Sequence, residues 1–274
     1  MLLNSLKLRN IKEPCQLVGP SIHQSKKISF NIDDSLVCIQ LPRNRTSLKH
    51  SSFKNPQRNY QIEGQIFDSS ISSKDGWGSL VCAARTWDFY GPLFSGQMGT
   101  ISMVAMINSP SDIKRELSFF HPRAFEQTLG DYLTYLHGDE VYLNKQQWLA
   151  PFNWQPNERF DSVCANFEVV SATGGNSAER WLATPVTNSH LLSICFRLSW
   201  NHVDVDSIST TPNNQKTHDI SGMEQLCDDI MNSLKVKLSD KALAQQKAAL
   251  EGLDDRSLVK EYPPLKWEGP KEVI

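Results

Sequence analysis

The chain has 274 residues, 28 Lys+Arg against 30 Asp+Glu, and is 39% hydrophobic. That apolar content is too high for a disordered chain, and 14 Gly with 14 Pro are too few for a fibrous one. No stretch reaches 18 consecutive apolar residues, so a membrane-spanning helix is not expected, and the first ten residues lack the unbroken apolar core of a secretory signal.

The net charge of −2 conceals an asymmetry: residues 1–60 hold ten basic and three acidic residues, and the remainder is strongly acidic. Residues 28–32 alternate apolar and polar, and 36–41 are mostly apolar. Asp33-Asp34-Ser35 between them carries turn chemistry, which predicts a hairpin. The following stretch, 42–61, holds Arg43, Arg45, Lys49, Lys54 and Arg58 with no acid and shows neither a helical nor an alternating period. It reads as an extended basic loop. Such a loop can be an electrostatic arm for phosphates, an acidic partner or an anionic lipid surface, or it can lie back on the acidic remainder as a solvated face. Only Phe53 and Tyr60 could stack on bases, which is thin for a single-strand binder.

After a weaker strand candidate at 60–67 and a Ser/Asp/Gly-rich break at 69–78, strands are predicted at 79–87 and 100–107, joined by a loop over 88–99. A helix is predicted over 122–136: Pro122 suits its first position, and Phe125, Leu129, Tyr132, Leu133 and Leu136 form one stripe. His137 then complements the helix dipole, and Gly138 falls where a left-handed residue is wanted. Strands at 160–170, 180–186 and 190–198 follow across short Gly/Asn turns, which favours antiparallel pairing. In the last of these Leu192, Ile194, Phe196 and Leu198 share one face, with Ser193, Cys195 and Arg197 on the other. Met223, Leu226, Cys227, Ile230, Met231 and Leu234 make the stripe of a second helix over 219–235. A third helix is expected from a capping Ser239 to Leu250, and the Pro-containing remainder reads as a linker or partner-dependent arm. The expected architecture is one α+β domain over 12–236, a twisted and mainly antiparallel sheet packed by helices 122–136 and 219–235, with 237–274 as a tail.

No nucleophile elbow, phosphate loop, dinucleotide fingerprint or metalloprotease motif is present, and no motif calls for a cofactor. His202, Asp204 and Asp206 stand at period two and could hold a divalent cation, completed by His218 and Asp219; the alternative is a polar strand end. The six cysteines (Cys15, Cys38, Cys82, Cys164, Cys195, Cys227) are widely spaced, with no CxxC pair. They read as reduced thiols in a cytoplasmic protein, although an even count leaves a disulfide framework open. Aromatic residues crowd 87–94 (Trp87, Phe89, Tyr90, Phe94) and 148–154 (Trp148, Phe152, Trp154). These are either partner anchors on loops or ordinary core at one end of the sheet.

Two features resemble the Mog1/PsbP/DcrB-like domains: the early strand 28–32 entering a turn, and the close of the domain, where strands 160–198 precede the helix ending Asp229-Ile-Met-Asn-Ser-Leu-Lys-Val-Lys-Leu238. Less than half the chain is covered, and Asp33-Asp34-Ser35 lacks the proline expected in that turn. The resemblance implies a mostly antiparallel sheet flanked by helices and a non-catalytic binding role, and it transfers no functional residue. The resulting expectation is a soluble, non-enzymatic interaction protein. Its partner is a protein, with acidic or phosphate-bearing chemistry allowed, met through Arg43, Arg45, Lys49, Lys54, Arg58, Trp87, Phe89 and Tyr90. The alternative is a hydrolase or metal-dependent enzyme in the acidic second half, using His202, Asp204 and Asp206.

Overall fold

The computed structural model describes residues 15–47, 53–62, 76–92, 96–111, 118–142, 145–157, 160–200 and 218–267. Asp33 and Asp34 both take positive φ, 41° and 66°, the backbone of a primed two-residue turn whose twist matches that of paired strands. It joins β2 (Lys26–Ile32) to β3 (Ser35–Leu41) antiparallel, as expected. Positive φ at both positions also excludes the proline missing from the resemblance, since proline is fixed near −65°. Two short strands flank the hairpin in sequence. β1 (Cys15–Gln16) comes first, and β4 (Asn59–Tyr60) pairs parallel with β2.

The main sheet begins with β5 (Trp77–Tyr90) and β6 (Gln97–Pro110), both longer than expected. Helix α1 (Pro122–His137) follows, then the short hairpin β7 (Val141–Tyr142) and β8 (Lys145–Gln146). Next come β9 (Trp148–Pro156), β10 (Ala165–Ser171), β11 (Ser177–Thr187) and β12 (His190–Trp200). The described residues end with β13 (His218–Asp219), α2 (Ser221–Ser233), β14 (Lys235–Lys237), α3 (Asp240–Ala249) and a segment to residue 267. β13 pairs parallel with β1. The six long strands form one antiparallel sheet in the order β5-β6-β12-β11-β10-β9. The α+β class is as expected, but the early hairpin does not join this sheet. It forms a second one, β14-β3-β2-β4.

The main sheet is apolar on both faces, so both must be covered. On one face, Ile101, Met103, Leu192, Ile194, Phe196 and Leu198 pack with Phe30, Ile32, Val37 and Ile39 of the small sheet and with the stripe of α2. All six stripe residues, Met223 through Leu234, are buried. Arg180 of β11 fastens α2 from its flank, donating to Glu224 O at 3.0 Å and pairing with Asp228 at 2.9 Å. On the opposite face Phe125, Leu129, Tyr132 and Leu133 of α1 pack on Phe167, Val169, Trp181 and Cys195. At about 1.5–3 kcal/mol for each large apolar side chain taken out of water, these two stripes are what hold the helices.

Two local expectations change. Gly138 is right-handed (φ −62°, ψ −31°); a Cβ there would lie 2.5 Å from Thr134 O, so the glycine answers close approach and not a left-handed turn. Residues 148–154 form edge strand β9 and not a loop, and an edge is where a strand tolerates Pro151.

The C-terminal segment, expected as a linker or arm, lies along α1 and β9. Leu258 is buried with Trp154 and Phe167. Trp154 Nε1 donates to Val259 O at 2.8 Å, Val259 N to Glu126 Oε1 at 2.6 Å, and Leu265 N to Ala150 O at 2.8 Å. The last of these satisfies part of the open edge of β9, a row of backbone groups that would otherwise invite pairing with another chain.

Candidate interaction surface

The other edge of the main sheet, β5, is covered by the basic segment. Lys54 N donates to Ala84 O at 3.1 Å, and Ala84 N returns a bond to Lys54 O at 3.0 Å. Arg45 N donates to Thr86 O at 3.1 Å, and Asp88 N to Arg45 O at 2.9 Å. Side chains complete the seam. Asn44 Oδ1 accepts from Thr86 N at 2.6 Å, and Trp87 Nε1 donates to Arg43 O at 3.0 Å. The described parts of the loop, 42–47 and 53–61, are bonded by backbone along the sheet edge at Arg45 and Lys54.

Two charged residues of β5 hold this seam from below. Asp88, 1% exposed, accepts from Thr46 Oγ1 at 3.0 Å, Ser47 N at 2.6 Å and Gln97 Nε2 at 3.1 Å. Arg85, 5% exposed, donates to Lys54 O at 2.7 Å and Asn55 Oδ1 at 2.6 Å. Its guanidinium lies 4.7 Å from the ring centroid of Phe53, which is itself exposed. Burial lowers the Arg85 pKa from its usual value. The sequence reading passed over both residues. The available signal was a charged pair inside an apolar strand, which must find buried partners, beside a polar segment with no period of its own.

Fixing the backbone turns the basic side chains outward. Arg43, Arg45 and Arg58 are exposed and Lys54 is half-buried. None of the four forms an ion pair with a carboxylate of the described residues; the pairs found there belong to Arg123, His137, Arg180 and Arg197. The segment therefore lies back on the protein through backbone bonds and through the buried Asp88 and Arg85, and not through its own basic side chains. Lys49 falls outside the described residues.

The aromatic anchors divide. Trp87 and Phe89 are 0% and 1% exposed and belong to the core, so their reading as exposed contacts is corrected: both point into the face covered by the small sheet. Tyr90 is half-exposed, where β5 exchanges bonds with Val18, 2.9 Å each way. Trp154 is buried, whereas Phe152 stands exposed on β9. His202, Asp204 and Asp206 lie outside the described residues, and no group of metal-ligating side chains occurs among the described ones.

One buried ionisable cluster was read from sequence only as a helix end. His137, 6% exposed, has Nε2 3.8 Å from Glu179 Oε2 and Nδ1 3.9 Å from Glu140 Oε2, with Trp148 and Trp267 flanking its ring. Neither ring nitrogen has a hydrogen-bond partner among the described residues. Burial lowers the His137 pKa, outweighing the two carboxylates that favour the charged ring. Glu179 is already committed to Arg197, which donates from Nε at 2.9 Å and Nη2 at 2.7 Å, and to Trp181 Nε1 at 3.0 Å. Cys195 lies 3.9 Å from Glu179, and burial next to that carboxylate holds its thiol well above the usual range. Cys82 is pushed up to about 12 by burial. Cys38, Cys82, Cys164, Cys195 and Cys227 are buried, and a buried protonated thiol is a weak nucleophile. The Glu179 end of this cluster is held by Arg197 and Trp181, whereas the His137 ring has no hydrogen-bond partner among the described residues.

Neither a protein-family model nor a curated protein matches the chain.

Proposed function

We propose that the chain is a soluble, non-enzymatic binding protein of the cytoplasm whose basic ridge at 43–58 engages an acidic segment of a protein partner. The observation that carries this reading is that the described backbone of the ridge is bonded to β5 at Arg45 and Lys54 and to β2 at Arg58, while Arg43, Arg45 and Arg58 stay exposed with no carboxylate of the described residues paired to them. Backbone bonds at these positions lower the ordering cost of binding, because the arginines are held before the partner arrives. Exposed Phe53, with Arg85 4.7 Å from its ring centroid, adds an apolar contact to the ridge. Cations around an aromatic suit acidic protein segments that also carry apolar residues. Buried cysteines without a disulfide among Cys38, Cys82, Cys195 and Cys227 favour a reducing compartment.

The test is fluorescence anisotropy of a labelled peptide of alternating Glu and Leu, titrated with wild type and with Arg43→Glu/Arg45→Glu/Arg58→Glu. The reading expects saturable binding by wild type that weakens as salt rises and is lost in the variant. Equal binding by both, or none by wild type, contradicts it. Tighter binding of a DNA duplex than of the peptide would reassign the ridge to nucleic acid.

A further inference from the structure

α3 is a poor candidate for a structural helix. Ala242 is its only buried residue, its other positions are mostly Ala, Gln and Lys, and Leu243 stands 42% exposed. Ten residues of such a helix are marginal without tertiary support. What holds it is mostly polar. Ser239 caps its first turn and donates from its backbone to Ser35 Oγ at 3.0 Å; Gln245 Oε1 accepts from Asn188 N at 3.1 Å; Gln246 Nε2 donates to Asp161 O.

On either side of the Gln246–Asp161 bridge the helix stands over a hollow. The smaller, about 210 Å³, lies under Leu243. The larger, about 470 Å³, runs from Phe160 and Val163 beneath Leu250 to Leu258. That volume is within the range of small-molecule sites, which pair apolar walls with a few placed polar groups. The mouth of the larger hollow carries two cations, Arg256 and Lys260, both exposed and without an ion pair to any described carboxylate. Ser162, on the wall between the two hollows, has a buried hydroxyl with no hydrogen-bond partner among the described residues.

We infer that the hollow beneath α3 is a binding site for a small apolar molecule with a carboxylate head, its chain against Phe160, Val163, Leu250 and Leu258 and its head at Arg256 and Lys260. The occupant would supply the apolar contact that α3 lacks, so binding and the order of the helix are coupled. This site is separate from the ridge at 43–58 and does not depend on it.

Decanoate is the probe, titrated calorimetrically into the full chain, with amide hydrogen exchange followed over residues 240–250. Wild type should bind decanoate with one-to-one stoichiometry, and exchange across α3 should slow. Arg256→Glu/Lys260→Glu changes exposed side chains only and should weaken decanoate by about tenfold or more while leaving the melting temperature of the free protein unchanged. Leu250→Asp should weaken it independently of the head contacts. Acetate, lacking the chain, and decanol, lacking the charge, should each bind far more weakly. The assignment is overturned if decanoate gives no saturable heat at millimolar concentration, if the double variant binds as wild type does, if decanol matches decanoate, or if protection appears away from α3.

Discussion

Lys54 and Ala84 exchange backbone hydrogen bonds of 3.1 and 3.0 Å, so a segment without regular secondary structure is paired to the edge strand of the main sheet. An open strand edge is a template for unwanted association, and charged residues are a common means of blunting it. Here the covering segment is itself basic. The edge is closed by its backbone, and the charge is left on the outside as a ridge.

Asp88 is the anchor of that arrangement. Replacing it by alanine removes the buried acceptor of the Ser47 N–H, the Thr46 hydroxyl and the Gln97 amide. The expected cost is about 1–3 kcal/mol in urea unfolding, because hydrogen bonds to a buried charged acceptor are lost. The variant should also scatter more light on concentration as β5 is uncovered. A loss below about 0.5 kcal/mol would show that the seam does not depend on this carboxylate.

His137 gives a pH dependence of known sign. Its pKa is lowered in the folded state, chiefly by burial. The unfolded chain therefore takes up the proton near the ordinary value of about 6.5, and the folded protein takes it up only at lower pH. The stability contributed by the neutral ring is complete above pH 6.5 and is lost as pH falls through 6.5 toward the folded value. Melting curves between pH 5 and 8 should show this fall in wild type and a shallower one in His137→Phe. Parallel profiles would remove His137 as the cause.

Gly130 and Tyr262 test the contact between α1 and the C-terminal segment. A Cβ on Gly130 would stand 2.6 Å from the Tyr262 hydroxyl but 3.9 Å from the ring carbon that bears it. Gly130→Ala raises helix propensity by about 1 kcal/mol, yet in wild type it should destabilise by displacing the segment. In a Tyr262→Phe background the collision is gone and the same substitution should stabilise. A double-mutant cycle reads the coupling directly, and additive effects would place the segment elsewhere.

The elements legible in the sequence are those whose periodicity comes from burial on one side. The stripes of α1 and α2, and the two faces of β12, were readable because each packs against a single layer. The tight turn at Asp33-Asp34 was readable from residue type, and the hydrogen-bonding Ser239 cap from its position. Three things were not legible. β9 carries Pro151 and a positive φ at Asn153, and its pairing with β10 shifts register, so it lacks a clean alternation. The segment 253–267 is held by single contacts such as Val259 N to Glu126 and Trp267 Nε1 to Thr134, which leave no period to read. The burial of Trp87 and Phe89 was undecidable locally, because it depends on a second sheet lying over that face. Of the candidate surface, the charge was plain, but its backbone pairing was not, since the partners are far apart in the chain, Lys54 with Ala84 and Arg45 with Thr86.

The central claim is that the exposed arginines of the ridge, and not charge in general, recognise an acidic partner. The most direct measurement is quantitative capture from native lysate by three versions of the full chain. These are wild type, Arg43→Glu/Arg45→Glu/Arg58→Glu, and a charge-matched control, Lys235→Glu/Lys247→Glu/Lys266→Glu, each checked for folding by circular dichroism. The account predicts a protein retained equally by wild type and control, lost from the ridge variant, and crosslinked to residues 43–58 through a Glu/Asp-rich segment. Equal capture by all three, or equal loss from both variants, would contradict it.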